Sequence, residues 1–392
     1  MQFAILGSHP DISIAEINVV TGATPVAAAG IVALFDDLDV NMPVLMQQLG
    51  GTQKIGHVIG EVPNADPDTL IEFLTTHLEY GEHERKLHFG ISIYDFGDAS
   101  KVDKLAESAR KMGLSVKNAL KAHEISARFV MAKEAAISAV GVLKNELITK
   151  GAEFVVMVAP DKLVIGTTLG VQDADAWGTR DFGRPRRNAK QGMLPPKLAR
   201  MMLNMTGKTV NGATVLDPFC GSGTVLMEAA LLGAGKLLGG DVSGKATHDT
   251  RENTAWLHKE LHIDVPPAEF FTSKASEIAT HIPPNSVDML VTETYLGNPR
   301  NGGESVADVK EGILYIETMY RESFAGLKSL LKGGSVIVIA APIHFVGKET
   351  VEPDVEGIMT SLGYKNNPII ESPLIYHRAD QLVGRHFYRF TV

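Results

Sequence analysis

One stretch limits the possible architectures more than any other. "ATVLD", an apolar run ending in a carboxylate, passes directly into "DPFCGSGT" and then into "VLMEAALLGA". A short apolar run bounded by turn residues reads as a buried strand, and the Leu/Ala-rich run after the loop reads as a helix. From Met193 onward the same grammar repeats. A helix introduced by prolines, "LPPKLARMMLNMTG", comes first, and strands follow at "KLLGGDV", "AEFFT", "VDMLVTE" and "GSVIVIA", each separated by a helical segment. Such alternation predicts an α/β domain with a parallel sheet covered on both faces. The closing "HFYRFTV" reads as a last, antiparallel strand at the sheet edge.

The first part of the chain is written differently. "QFAILG", "GIVALFD" and "KIGHVIGEV" read as strands, with helices at "ISIAEINVVTG" and "NMPVLMQQLGG", which is the layout of a small split βαβ, ferredoxin-like module over residues 1–75. Residues 76–171 form a second α+β stretch. The strand "KLHFGISIYDF" precedes the amphipathic helix "ASKVDKLAESARKMGL", then come a short strand, a helix at "AISAVGVLKNELITKG" and a hairpin around Pro160-Asp161. Residues 172–192 show neither helical nor strand period and read as a basic linker ahead of a domain at 193–392.

The 392 residues carry a net charge of −9, but unevenly. Residues 1–80 hold one lysine, Lys54, against ten acids, whereas residues 101–200 hold 18 Lys+Arg against 10 Asp+Glu. A basic middle in an acidic chain is the footprint of a localised polyanion-binding face, and a solvated helix surface is its plain alternative. A single cysteine, Cys220, excludes an internal disulfide framework and, with no Cys cluster, a structural zinc site; no histidines pair with ligand spacing. The longest apolar runs fall far short of the ~20 residues needed to span a bilayer, and the start lacks the features of a signal peptide. A cytoplasmic location without membrane or metal is expected.

The glycine loop carries the chemistry. Ligands of open α/β sheets bind at the carboxyl ends of strands, where Asp217 to Thr224 stand. Gly221 and Gly223 let the backbone pass close to a ligand, and the next strand ends in Asp241, 24 residues after Asp217, where an acid takes ribose hydroxyls. The run C-G-S-G-T-V lacks the third glycine of a dinucleotide fingerprint, and no G-K-[ST] follows, so it is not a P-loop. A carboxylate just before the loop repels a pyrophosphate and suits a cationic group, such as the amino group of an amino-acid-like cofactor.

"DPFCGSGTVLMEAA" closely resembles the first motif of Rossmann-like S-adenosylmethionine-dependent methyltransferases that modify exocyclic amines of nucleobases. "GMLPPKLARMMLNMTG", "LVIGTTLGVQD" and "YHRADQLVGRHFYRF" resemble, in turn, the helix before that motif, the end of the THUMP domain and the last hairpin of THUMP-containing tRNA guanosine N2-methyltransferases. The likeness is strongest to the archaeal and eukaryotic enzymes acting on guanosine 10. It implies a fold of ferredoxin-like and THUMP modules followed by a Rossmann-like methyltransferase domain, with S-adenosylmethionine as cofactor and tRNA as partner. It implies that Asp217, Gly221, Gly223 and Thr224 line the methionine end, closed over by Met193 to Pro196, that Asp241 holds the ribose, and that Ser273, Lys274 and Ala275 approach the adenine.

Members of that family carry Asp-Pro-Pro-Tyr, or Asn in the first place, after the fourth strand. Here the sequence is Thr292-Glu293-Thr294-Tyr295. Tyr295 can stack an extruded base. If one residue is dropped Glu293 falls at the acidic position, and if none is dropped Thr292 does. Glu293 is the better acceptor, because a carboxylate can take both N1–H and N2–H of guanine. "NPRNGGESVADVKEG" reads as a mobile substrate loop with Arg300 available for phosphate. The expected RNA face comprises Lys117, Lys121, Arg128, Arg180, Arg184, Arg186, Arg187, Lys190 and Arg300, while the acidic N-terminal region faces away from phosphates or meets a protein partner or a second copy. Rival readings are a methyltransferase for another nucleobase amine, such as adenine N6 in RNA or DNA, and a non-catalytic RNA-binding protein that retains cofactor affinity.

Overall fold

The computed structural model describes residues 1–36, 38–63, 66–80, 86–187 and 193–392. The chain divides into two compact units, Met1–Ala176 and Trp177–Val392.

The first unit runs β1 (Gln2–Leu6), α1 (Pro10–Thr21), β2 (Ala27–Ala29), β3 (Val32–Phe35), α2 (Met42–Gln48), β4 (Thr52–Pro63), α3 (Pro67–Glu79), β5 (Leu87–Asp95), α4 (Ala99–Ala122), β6 (Ala127–Val130), α5 (Ala139–Lys144), β7 (Gly151–Val158) and β8 (Lys162–Val171). The starts of α2, α3 and α5 are set by Asn41, Asp66 and Ser138, whose side chains accept the N–H of Val44, Thr69 and Gly141. One sheet contains all eight strands, in the order β2-β3-β1-β4-β8-β7-β5-β6. β1 lies antiparallel between β3 and β4, so α1 and α2 connect strands split by a neighbour, the βαββαβ pattern. The stretches 1–75 and 76–171 share this sheet, because β4 pairs with β8 along its length, and residue 75 falls inside α3.

A buried ion pair ties the two halves of the sheet. Lys54 on β4 donates to Glu153 on β7 and to Ile137 O (2.6 Å), while Ser92 (2.5 Å) and Thr168 (2.6 Å) donate to the same carboxylate. Burial lowers the pKa of Lys54, and Glu153 opposes it. The three donors to Glu153 come from three different strands, Lys54 from β4, Ser92 from β5 and Thr168 from β8, so the network specifies register as well as satisfying charge.

A short helix, α6 (Ala174–Gly178), straddles the division, and the second unit contains a π-helical turn (Thr179–Gly183), α7 (Pro196–Asn204), β9 (Thr214–Asp217), α8 (Thr224–Leu231), β10 (Lys236–Asp241), α9 (Gly244–Leu261), β11 (Ala268–Thr272), β12 (Val287–Glu293), α10 (Val306–Leu327), β13 (Leu331–Val346), β14 (Glu349–Val351), α11 (Val355–Ser361), β15 (Lys365–Asn366), β16 (Leu374–Tyr376) and β17 (Val383–Thr391). The sheet order is β11-β10-β9-β12-β13-β17-β15, with β14 on β13 and β16 on β17. The first five strands are parallel and β17 runs antiparallel to β13. This is a Rossmann-like α/β fold with an antiparallel strand beside its parallel strands. Leu216, Leu290 and Ile337 from the sheet pack against Ile316, Tyr320 and Phe324 of α10, and burial of such side chains is the main stabilising term.

Three expectations change. β17 is not the sheet edge, since β15 lies outside it. The helix expected over 136–151 is confined to α5, because the chain turns at Glu146 with φ 55°. Much of the expected linker is structured: residues 174–183 are helical, and the apolar ring of Trp177 is only 8% exposed.

Candidate functional site

The sheet order places the carboxyl ends of β9, β10 and β12 side by side. Connections move outward from β9 through β10 to β11 and then jump to β12 on its other flank, which makes the switch point where open α/β sheets bind ligands. The glycine loop lies there. Gly221 and Gly223 hold φ values of 53° and 84°, a region that glycine enters without penalty. The loop is braced from α9: Thr250 donates to Gly221 O (2.9 Å) and Asn253 Nδ2 to Ser222 O (2.9 Å). A Cβ on Gly223 would stand 2.8 Å from Thr250, whereas one on Gly221 meets nothing within 4 Å. Gly223 is therefore required by packing and Gly221 borders open space.

Asp241, at the end of β10, accepts the N–H of Gly221 (3.0 Å) through Oδ2 and that of Ser243 (2.8 Å) through Oδ1. These bonds orient the carboxylate and leave lone pairs for hydroxyl donors. Ser273 N–H donates to Asp241 O (3.0 Å), so the Ser273-Lys274-Ala275 turn sits against the same strand end; Ala275 is buried and Lys274 extends toward Glu277 (3.8 Å).

Asp217 closes β9 and is 2% exposed. Its Oδ1 accepts from Thr292 Oγ1 (2.6 Å) and Phe219 N–H (3.2 Å). Burial above all, with the nearby charges of Asp241 and Glu293, pushes its pKa up to about 7 against the opposing effect of those two hydrogen bonds. Three carboxylates thus gather around the glycine loop, one of them buried and without a cation.

At the mouth of β12 the alternating pleat separates the four residues. Thr292 and Thr294 are buried, the first on Asp217 and the second on Tyr320. Of the two alignments, Glu293 offers the more accessible acceptor, since the Thr292 hydroxyl is fully buried and donates inward to Asp217. Glu293 is not free either: Arg385 on β17 donates through Nε to Oε1 at 2.5 Å. No described residue bonds Oε2. Burial raises the pKa of Glu293 above its ordinary value, and the charge and hydrogen bond of Arg385 offset this only in part. Tyr295 is 40% exposed, with its hydroxyl on Asn298 (2.7 Å) and Tyr315 as an electrostatic neighbour.

The basic residues divide. Lys117, Lys121 and Arg128 are exposed on the first unit, Arg128 with a bond to Asn145 (3.2 Å), and Arg186 and Arg187 are exposed on the second, Arg187 over the Phe182 ring. Arg180, Arg184 and Arg300 are corrected. Arg180 stacks on Trp177, with 3.9 Å from guanidinium to ring centroid, and bonds buried Glu228 (2.9 Å), which Arg200 shares (2.7 Å). Arg184 is 3% exposed and donates to Thr224 (2.7 Å). Arg300 has a side chain 6% exposed and donates to Phe345 O (2.9 Å) and Leu382 O (3.3 Å). Lys190 lies outside the described residues. The loop after Tyr295 is also more built than its composition suggests. Glu304 accepts the N–H of Asn301 (2.8 Å) and Gly302 (3.1 Å), a Ser305–Asp308 capping box follows, and "VADVKEG" is the start of α10.

Among the described residues no group of His, Cys, Asp or Glu could hold a metal ion, and no helix is long and apolar enough to cross a membrane. Arg385 was missed because its partner lies 92 positions away, and no local pattern signals such a pair.

Residues 184–263 match the RMKL-like methyltransferase domain family. Over 160 residues the chain is 33% identical to tRNA (guanine(10)-N2)-dimethyltransferase of Methanothermobacter thermautotrophicus, which covers 41% of each protein. Over 100 residues it is 36% identical to the protein of the same name from Methanocaldococcus jannaschii, 25% of this chain and 27% of that one. The chain thus matches less than half the length of these curated relatives. The crystal structure of TrmN from Thermus thermophilus superposes with a TM-score of 0.54 at 16% identity, over 100% of both chains, a likeness of fold.

Proposed function

We propose that the protein transfers a methyl group from S-adenosylmethionine to the exocyclic N2 of a guanosine in tRNA. The observation that carries this reading is the carboxylate cluster at the glycine loop. S-adenosylmethionine has an ammonium and a sulfonium, and Asp217, Asp241 and Glu293 supply the negative field that such a ligand needs. The open space at Gly221 fits a ligand passing over the loop. The names of the relatives favour guanosine N2 over other amines.

On this reading Asp217 meets the ammonium, Asp241 the ribose hydroxyls, and Ser273 to Ala275 the adenine. The bound cofactor supplies an electrophilic methyl group. Tyr295 offers its exposed face to an extruded base. Glu293, fixed by Arg385, accepts an N–H of the guanine edge through Oε2, so the lone pair of N2 turns toward the methyl group. The product ammonium is acidic enough to lose its proton to water, so little general-base work is asked of Glu293. Residues 1–75 and 76–171 serve as ferredoxin-like and THUMP modules that hold the RNA in the cytoplasm, and the acidic N-terminal stretch is left for a protein partner or a second copy.

A second reading, an RNA-binding protein that keeps cofactor affinity without catalysis, is favoured by one observation: Arg385 already neutralises Glu293. Titration with S-adenosylmethionine, followed by incorporation of labelled methyl into unmodified tRNA, separates them, because binding without incorporation supports the second. Two further outcomes are expected. Gly221→Ala keeps the fold at a strain of about 1 kcal/mol, yet weakens cofactor binding measured by calorimetry, as its methyl enters the ligand's space. Binding to tRNA through exposed Lys117, Lys121 and Arg128 of the first unit, and Arg186 and Arg187 of the second, falls by about tenfold or more between 50 and 200 mM salt in a filter assay, and indifference to salt contradicts phosphate contacts by these residues.

A further inference from the structure

The buried guanidinium of Arg184 is incompletely bonded, and the missing bonds have a definite shape. Nη1 donates to Thr224 Oγ1 at 2.7 Å, but Nε and Nη2 have no hydrogen-bond partner. Neither neighbouring carboxylate supplies one. Asp181 Oδ1 stands 3.9 Å from Nη2, and the oxygens of Glu228 are taken by Arg180 and Arg200. Arg187 adds a like charge, and burial, the largest effect, lowers the pKa of Arg184 to about 10. With 3% exposure the group cannot replace these bonds by hydration, so an anion that completes them is strongly favoured.

Nε and Nη2 form one edge of the guanidinium, the fork that grips a carboxylate through two parallel bonds. Thr224 fixes where that fork sits. It is the first residue of α8, whose N-cap is Gly223, with no side chain to bond the free N–H groups. The helix terminus therefore adds its own preference for an anion.

We propose that Arg184, with the N-terminus of α8, receives the carboxylate of the cofactor's methionyl group. The inference rests on the S-adenosylmethionine reading above and deepens it: the amino-acid end is held at both charges, the ammonium by Asp217 and the carboxylate by Arg184.

The test is calorimetric titration of the full chain with S-adenosylmethionine and with its decarboxylated analogue, which keeps the ammonium and sulfonium. The wild type prefers S-adenosylmethionine by about 30-fold or more. Arg184→Met loses that preference, with affinity for the analogue within about threefold of wild type, and Arg184→Lys falls between. Melting temperatures without ligand check that the variants fold. Equal binding of both ligands by the wild type, or equal weakening of both by Arg184→Met, overturns the proposal. So does an Arg184→Met protein that keeps S-adenosylmethionine but loses tRNA. If the wild type binds neither ligand, the cofactor reading itself fails and this inference with it.

Discussion

Glu293→Gln lowers methyl transfer to tRNA by about a hundredfold or more while leaving cofactor affinity unchanged. Glutamine keeps an oxygen for Arg385 Nε, so the fold survives, but it removes the charge that orients the substrate amine. Its amide nitrogen, facing the guanine edge in place of Oε2, is a donor set against donors. Alanine is the poorer probe. It breaks a buried ion pair with Arg385, whose side chain is 6% exposed, and removing one partner of such a pair costs about 3–5 kcal/mol, so lost activity would be confounded with lost protein. Single-turnover kinetics with Glu293→Gln, beside a calorimetric titration of cofactor, check the split. Full activity in the glutamine variant removes Glu293 from the mechanism.

Asp217→Asn is expected to do two opposite things. It weakens S-adenosylmethionine by about a hundredfold, because the ammonium loses a fully buried counter-charge. It also stabilises the free protein at pH 8. The folded-state pKa of Asp217 is raised to about 7, so between the ordinary aspartate range and pH 7 the folded state holds a proton that the unfolded state has released. This contribution to stability is present in full below the unfolded pKa and is lost as pH rises through about 7. Asparagine has no such charge, and at pH 8 its advantage approaches an upper limit of about 4 kcal/mol, shrinking to almost nothing at pH 4. By the same linkage, cofactor affinity of the wild type rises with pH up to about 7 and then levels. Melting curves and titrations across pH 5–8 test both, and a pH-independent difference between the two proteins contradicts the assignment.

The parts of the site that were legible in the sequence share one property: their signal is local. Gly221 and Gly223 need positive φ and little room, and such demands show in the six residues between a strand ending at Asp217 and a helix starting at Thr224. The acid closing each strand, Asp217 and Asp241, is fixed by the same βα grammar. What failed was long-range. Arginines 180 and 184 look in the sequence like members of a basic tether, and only tertiary packing on Trp177, Glu228 and Thr224 turns them inward. Arg300 likewise finds carbonyls on β13 and just before β17, which lie near it only once the sheet has formed. The alternating pleat could have told Thr292 from Glu293 in advance, but not which of the two faced a partner.

The altered motif is consistent with the rest of the site. Without prolines the backbone after β12 loses two fixed φ angles, and the structure restrains it by other means. Thr292 bonds Asp217, Thr294 bonds Tyr320, and Arg300 with Glu304 pins the loop that follows. Arg385 takes one lone pair of Glu293 Oε1, which makes Oε2 the less encumbered of the two oxygens for a substrate N–H.

The central claim is methyl transfer to guanosine N2, and mass spectrometry of nucleosides measures it directly. Unmodified tRNA transcript is incubated with the full chain and S-adenosylmethionine, digested and compared with a Glu293→Gln control. N2-methylguanosine appearing only with the wild type is the predicted result; no methylated nucleoside, or methyl on adenine instead, contradicts it.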